Sequence, residues 1–159
     1  MRLTGYTDAD GFADRDEHKY ISGYTFILGG GVISWCSKKQ QCVSLSTMES
    51  EYVACTTAVQ EAIWLRRFLH SLNITGHLEE AVVIFCDSTT AIAYAKDPKY
   101  HGRSKHIDTR YHFIRDIIAQ GQVVLKHVHT SDMIADPFTK PIVRDVFHKH
   151  MRALGLRRI

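Results

Sequence analysis

The 159-residue chain is 45% hydrophobic and 23% charged with a net charge of +3, the balance of an ordinary globular protein long enough to bury a sizeable core. No apolar run approaches the ~20 residues that span a bilayer, so no membrane partner is expected, and the opening MRLTGYTD lacks the apolar centre of a signal peptide. The four cysteines form no CxxC pair and the ten histidines are scattered, which argues for reduced thiols and against a zinc site built on Cys/His spacing.

Leu3 to Thr7 reads as a first strand that ends at Asp8 and runs into the acidic stretch Asp8, Asp10, Asp14, Asp16 and Glu17. An EF-hand loop starting at Asp8 would need an oxygen ligand at its fifth position and glycine at its sixth. Phe12 and Ala13 stand there, so that loop is excluded. YISGYTFIL (20–28) alternates Tyr20, Tyr24, Phe26 and Leu28 on one face, and GVISWCS (31–37) follows after Gly29-Gly30, which predicts a hairpin. This early hairpin also excludes a phospho-acceptor receiver domain, whose strands and helices alternate from the start.

The next stretch repeats Met48, Tyr52, Cys55, Val59, Ala62, Leu65 and Leu69 at three- and four-residue spacing, a long helix with one face on a sheet. AVVIFCD (81–87) is the almost wholly apolar run of a strand buried on both faces. STTAIAYAK (88–96) predicts a short helix stopped at Asp97-Pro98, Ile107 to Gln120 another helix, and QVVLKHVH (122–129) a strand. From Met133 the chain reads as helical, punctuated at Pro137 and Pro141. A meander followed by strand–helix alternation predicts a single domain, residues 1–159, of α/β class: a mixed sheet with helices on its faces.

Asp87 closes an apolar strand, a costly place for a carboxylate without a partner. Asp8 and Asp87 at strand ends could share a divalent ion, with Mg²⁺ favoured by all-oxygen ligands. On the long helix, Ser46 and Glu49 fit a capping box, which gives Glu49 a structural role and leaves Glu51, on the sheet side, as the better ligand. Asp136, in MIADPFTK, reads from its own context as a helix cap. Arg103 and Lys105 belong to a basic run from Lys99 to Arg115 that suits a polyanion beside an acidic site, or simply a solvated surface.

The stretches YTDAD, SLSTMESEYVA, WLRRFL, VIFCDSTTAI, SKHIDTRYHFIRD and IADPFTKP, in that order from Gly5 to about Gly155, resemble the ribonuclease H domain of copia-type retrotransposon Pol polyproteins. The resemblance implies a ribonuclease H-like fold, a five-stranded mixed sheet (antiparallel meander plus parallel strands) flanked by helices. It further implies hydrolysis of the RNA strand of an RNA–DNA hybrid by two Mg²⁺ ions, for which Mn²⁺ can substitute. Asp8, Glu51, Asp87 and Asp136 would be the catalytic and metal-binding acids, with Arg103 and Lys105 contacting phosphate. The reverse transcriptase domain of the same polyprotein is the implied protein partner. A copy that binds nucleic acid or protein without cutting is the alternative. Two departures stand out: Gly11 occupies a position where the family opening carries tryptophan, and HVHTSDMIAD lacks the glycine-rich loop of cellular ribonucleases H, which argues against a catalytic role for His129.

Overall fold

The computed structural model describes residues 2–11, 19–74, 80–97 and 108–157. Arg103, Lys105, Asp14, Asp16 and Glu17 lie outside the described residues.

Three strands open the chain: β1 (Thr4–Asp10), β2 (Ile21–Leu28) and β3 (Gly31–Lys39). They form the expected antiparallel meander. Gly29 and Gly30 both adopt positive φ (62° and 82°), the left-handed pair that closes a two-residue hairpin without splaying its strands. The helix α1 (Thr47–Ser71) follows, then β4 (Val82–Cys86), α2 (Thr89–Lys96), α3 (Asp108–Ala119), β5 (Val123–His127) and, near the end, α4 (Arg144–Ala153).

The sheet order is β3-β2-β1-β4-β5. β4 lies parallel to β1, and β5 parallel to β4, so the mixed sheet inferred from the strand–helix rhythm is present. The apolar stripe of α1 explains its docking: Tyr52, Cys55, Val59, Ala62, Leu65 and Leu69 are all buried, in one core with Phe26, Ile84, Ile114 and Leu125. Burying each such aliphatic or aromatic side chain contributes about 1.5–3 kcal/mol. No described helix is long and apolar enough to cross a membrane.

Two boundaries differ from the sequence reading. β1 does not stop at Asp8 but continues to Asp10, because Asp8, Ala9 and Asp10 pair with Gly23, Ser22 and Ile21 of β2. The segment after Met133 is not one helix. Single 3-10 turns occupy Thr130–Asp132 and Asp136–Phe138, and α4 begins only at Arg144. Pro137 and Pro141 supply no amide donor for a continuous helix across this stretch.

Two close approaches tie the C-terminal part to the sheet. A Cβ on Gly23 would lie 2.7 Å from Thr139 Cγ2 and 2.9 Å from Phe138 Cβ, so glycine lets the second 3-10 turn lie flat on β2, directly opposite Asp8. After α4, Val32 donates its amide to Leu154 O at 3.0 Å. Gly155, at φ +74°, leaves no room for a Cβ against the carbonyl of Gly30.

Candidate functional site

Four carboxylates from four segments meet at one end of the sheet. β1 and β4 pair Thr4 with Val83, Gly5 with Ile84 and Tyr6 with Phe85. The same offset, carried on, brings Asp8 level with Asp87 just beyond β4. Asp8 is buried, although it lies within its strand rather than at the end.

Helix α1 supplies the third acid. Ser46 caps it by accepting the Glu49 amide at 3.2 Å, while Glu49 reaches back to the amide of Leu45 at 2.7 Å, one residue before the one expected. The cap fixes where the helix starts, and two residues on, Glu51 turns inward and is only 5% exposed. Ligand atoms of Glu51, Cys86 and Asp87 lie within 4.8 Å of one another. Glu51 Oε2 is buried without a hydrogen-bond partner, a costly state for a carboxylate oxygen unless a cation or proton satisfies it.

The fourth acid, Asp136, is buried at the start of a 3-10 turn. It is not the cap that the sequence suggested: Ala135 is the N-cap residue and no side chain caps the turn. The carboxylate points instead at Lys140, whose Nζ is 2.9 Å from Asp136 Oδ1 and 3.7 Å from Asp8 Oδ2. The tight turn returns Thr139 and Lys140 to the side of Asp136, and the Thr139 hydroxyl donates to Asp8 Oδ2. Asp87 accepts from the Thr130 hydroxyl at 3.0 Å. Sequence reasoning passed over Thr139, Lys140 and Thr130; the FTK run three and four residues after Asp136 was the available signal for two of them.

The electrostatics are those of crowded anions with Lys140 beside them. Burial, then the neighbouring charge of Asp8, pushes the Glu51 carboxyl up to about 10, so without a metal it is protonated at neutral pH. Burial also raises Asp8, against the opposing hydrogen bond from Thr139 and the charge of Lys140. Asp136 is raised by burial too, with Lys140 countering and Asp87 and Asp10 adding to it. For Lys140, burial favours the neutral amine, but Asp8 and Asp136 outweigh it and hold the ammonium above its usual range.

The donors fit hard divalent cations: carboxylate oxygens, an unpartnered buried oxygen on Glu51, and a lysine standing where cationic charge is needed. Asp10 sits at the rim of the group, near enough to influence Asp136. The position of Gly11 is explained by Tyr20, whose ring would lie 2.6 Å from a Cβ there; a larger side chain would displace it. His129 turns back on its own segment, bonding Ser131 at 2.9 Å. Elsewhere, an open cleft of about 530 Å³ between α1 and the β2–β3 hairpin is lined by Lys38, Gln60 and Trp64 among others, but by none of the four acids.

This sheet order and helix placement define the ribonuclease H fold. The chain superposes on the N-terminal ribonuclease H domain of a Mycobacterium tuberculosis protein with a TM-score of 0.58 at 12% identity, covering 95% of this chain and 98% of that one. It superposes on LC11-RNase H1, solved with an RNA/DNA hybrid, with a TM-score of 0.54 at 17% identity over 87% and 94% of the two chains. In sequence it is 45% identical over 154 residues, 97% of its length, to the retrovirus-related Pol polyprotein from transposon TNT 1-94 of Nicotiana tabacum. It is 37% identical over 159 residues to that of transposon RE1 of Arabidopsis thaliana. Nearly the whole chain is thus similar to these transposon Pol polyproteins, and it spans about 11% of the length of each. No protein-family model matches it.

Proposed function

We propose that this chain hydrolyses the RNA strand of RNA–DNA hybrids with two divalent metal ions, as the ribonuclease H step of reverse transcription. The observation that carries the reading is the convergence of Asp8, Glu51, Asp87 and Asp136, with Glu51 Oε2 buried and unpartnered. Asp8 feels the charges of Asp136 and Asp87 and acts in turn on Glu51, so the four acids are close enough to hold divalent ions together. Mg²⁺ or Mn²⁺ bound by these acids supplies an activated water and neutralises the charge developing on the leaving 3′-oxygen.

The remaining work falls to the protein. Thr139 and Thr130 each fix one carboxylate oxygen, of Asp8 and Asp87 respectively, so the acids are oriented before any ligand arrives. Lys140 neutralises Asp8 and Asp136 in the metal-free chain, a role that a bound cation would share. Hybrid selection would rest on groove shape, phosphates and 2′-hydroxyls rather than on base sequence, with Arg103 and Lys105 as phosphate contacts. The reverse transcriptase domain of the same polyprotein is the protein partner we assign, with residues 1–159 acting as one domain. A structural neighbour, the foamy virus protease-reverse transcriptase (TM-score 0.58, 14% identity, 20% of that chain covered), supports the pairing.

The test is cleavage of a labelled RNA strand annealed to DNA, in Mg²⁺ and separately in Mn²⁺. Cleavage leaving 3′-hydroxyl and 5′-phosphate ends, abolished by Asp87→Asn, is expected. Binding of hybrid without cleavage in either metal would overturn the nuclease reading.

A further inference from the structure

The acidic group contains one donor that the nuclease reading does not use. Cys86 is the last residue of β4, and its Sγ belongs to the same set of mutually close ligand atoms as Glu51 and Asp87. Neighbours along a strand point to opposite faces, so Cys86 and Asp87 should diverge. They converge because the strand stops at Cys86 and the chain turns at Asp87 into α2. The turn also brings the Ser88 amide to 3.4 Å from Cys86 Sγ, where it donates to the sulfur and helps hold it in place.

We infer that Cys86, Glu51 and Asp87 form a binding site for a thiophilic divalent cation of the Zn²⁺ class, distinct in its donor set from the all-oxygen sites expected for Mg²⁺. Three protein ligands of mixed sulfur and oxygen character, with a fourth position open, are an arrangement zinc accepts. Sulfur selects such metals over Mg²⁺. The buried, unpartnered Glu51 Oε2 is the independent sign that this corner lacks a positive partner. Tetrahedral ligation places donors about 3.5 Å apart, and these atoms already lie within 4.8 Å of one another. Cys/His spacing does not reveal this set, because it contains one sulfur and two carboxylates and 35 positions separate Glu51 from Cys86.

The binding claim stands without the nuclease reading; its consequence rests on it. A thiophilic ion held here engages two of the carboxylates assigned to Mg²⁺, which makes zinc a competitive inhibitor of hybrid cleavage. Cd²⁺ is the probe, because its bond to a thiolate gives an ultraviolet charge-transfer band that bound carboxylate does not. The full chain is titrated with Cd²⁺, without nucleic acid, in the background Cys36→Ser/Cys42→Ser, which removes the two more accessible thiols.

One Cd²⁺ per chain with a charge-transfer band is expected, lost on adding Cys86→Ser and weakened at least tenfold in affinity by Glu51→Gln. Should Cys86→Ser not fold, the Glu51→Gln titration decides alone. No band in the background variant, a band surviving Cys86→Ser, or an affinity indifferent to Glu51→Gln would each overturn the site. A chain that binds Cd²⁺ in this way yet never cuts hybrid refutes the nuclease reading and leaves this one intact.

Discussion

Glu49 and Glu51 stand two residues apart on α1, one in the turn that begins the helix and the other in the turn that meets the sheet. Glu49 gives its carboxylate to the Leu45 amide and helps fix the helix start. Glu51 is buried beside Asp8 and Asp87, with one oxygen unpartnered and its proton held up to about 10. The helix thus contains a carboxylate bonded to its own cap and another with an oxygen that a proton or a cation has to satisfy. Residue type alone would not separate them; burial and the unpartnered Oε2 of Glu51 do.

The sharpest way to break this contrast is the pair of neutral substitutions. Glu51→Gln should lower hybrid cleavage in Mg²⁺ by about 10³-fold, the several kcal/mol expected from a lost metal ligand. Equal loss in Glu49→Gln would dissolve the distinction. Next in size is a pH effect on the metal-free chain. Glu51 ionises near 4.5 when unfolded but is held up to about 10 when folded, so between those values the folded state keeps a proton the unfolded state has released. Stability must then fall as pH rises through this window. Denaturation midpoints measured between about pH 5 and pH 9 should decline, and Glu51→Gln should remove most of the decline. Saturating Mg²⁺, which binds the ionised form, should oppose it.

A third substitution leaves both glutamates alone and disturbs only the ground opposite Asp8. Gly23→Ala places a Cβ against Thr139 and Phe138, which should cost about 1–3 kcal/mol by overpacking and lower cleavage by lifting Thr139 from Asp8. Thermal unfolding together with the cleavage assay reads both effects. The smallest effect belongs to Glu49→Gln, at most about 1 kcal/mol of stability on capping grounds, measured by urea unfolding with activity retained.

Much of the fold was legible before any coordinates. The glycine pair of the hairpin, the apolar stripe of α1 and the VVIFC run each carry a strong local signal, and all three elements appear where expected. The region after Met133 was less legible because its geometry depends on contact: Asp136 is oriented by Lys140 and by the packing of its turn on Gly23, not by a helix behind it. Glu51 could be chosen over Glu49 by capping logic alone. Asp8 and Asp87 could be paired from their places at strand ends, but that Asp136, 128 residues beyond Asp8, joins them with Glu51 came only from family resemblance, because such a separation leaves no periodic trace. Cys86 was read only as a buried thiol, because the bend that aims it beside Asp87 lies in the backbone and not in the residue types.

The clasp between Gly155 and the Gly29-Gly30 turn has a bearing on how such a unit is carried in a longer polypeptide. Thr4 pairs with Ile27 next to that turn, so the start of β1 and the end of the last helix both sit at the sheet end remote from the acids. Flanking sequence attached at either side approaches from behind and need not cross the carboxylates.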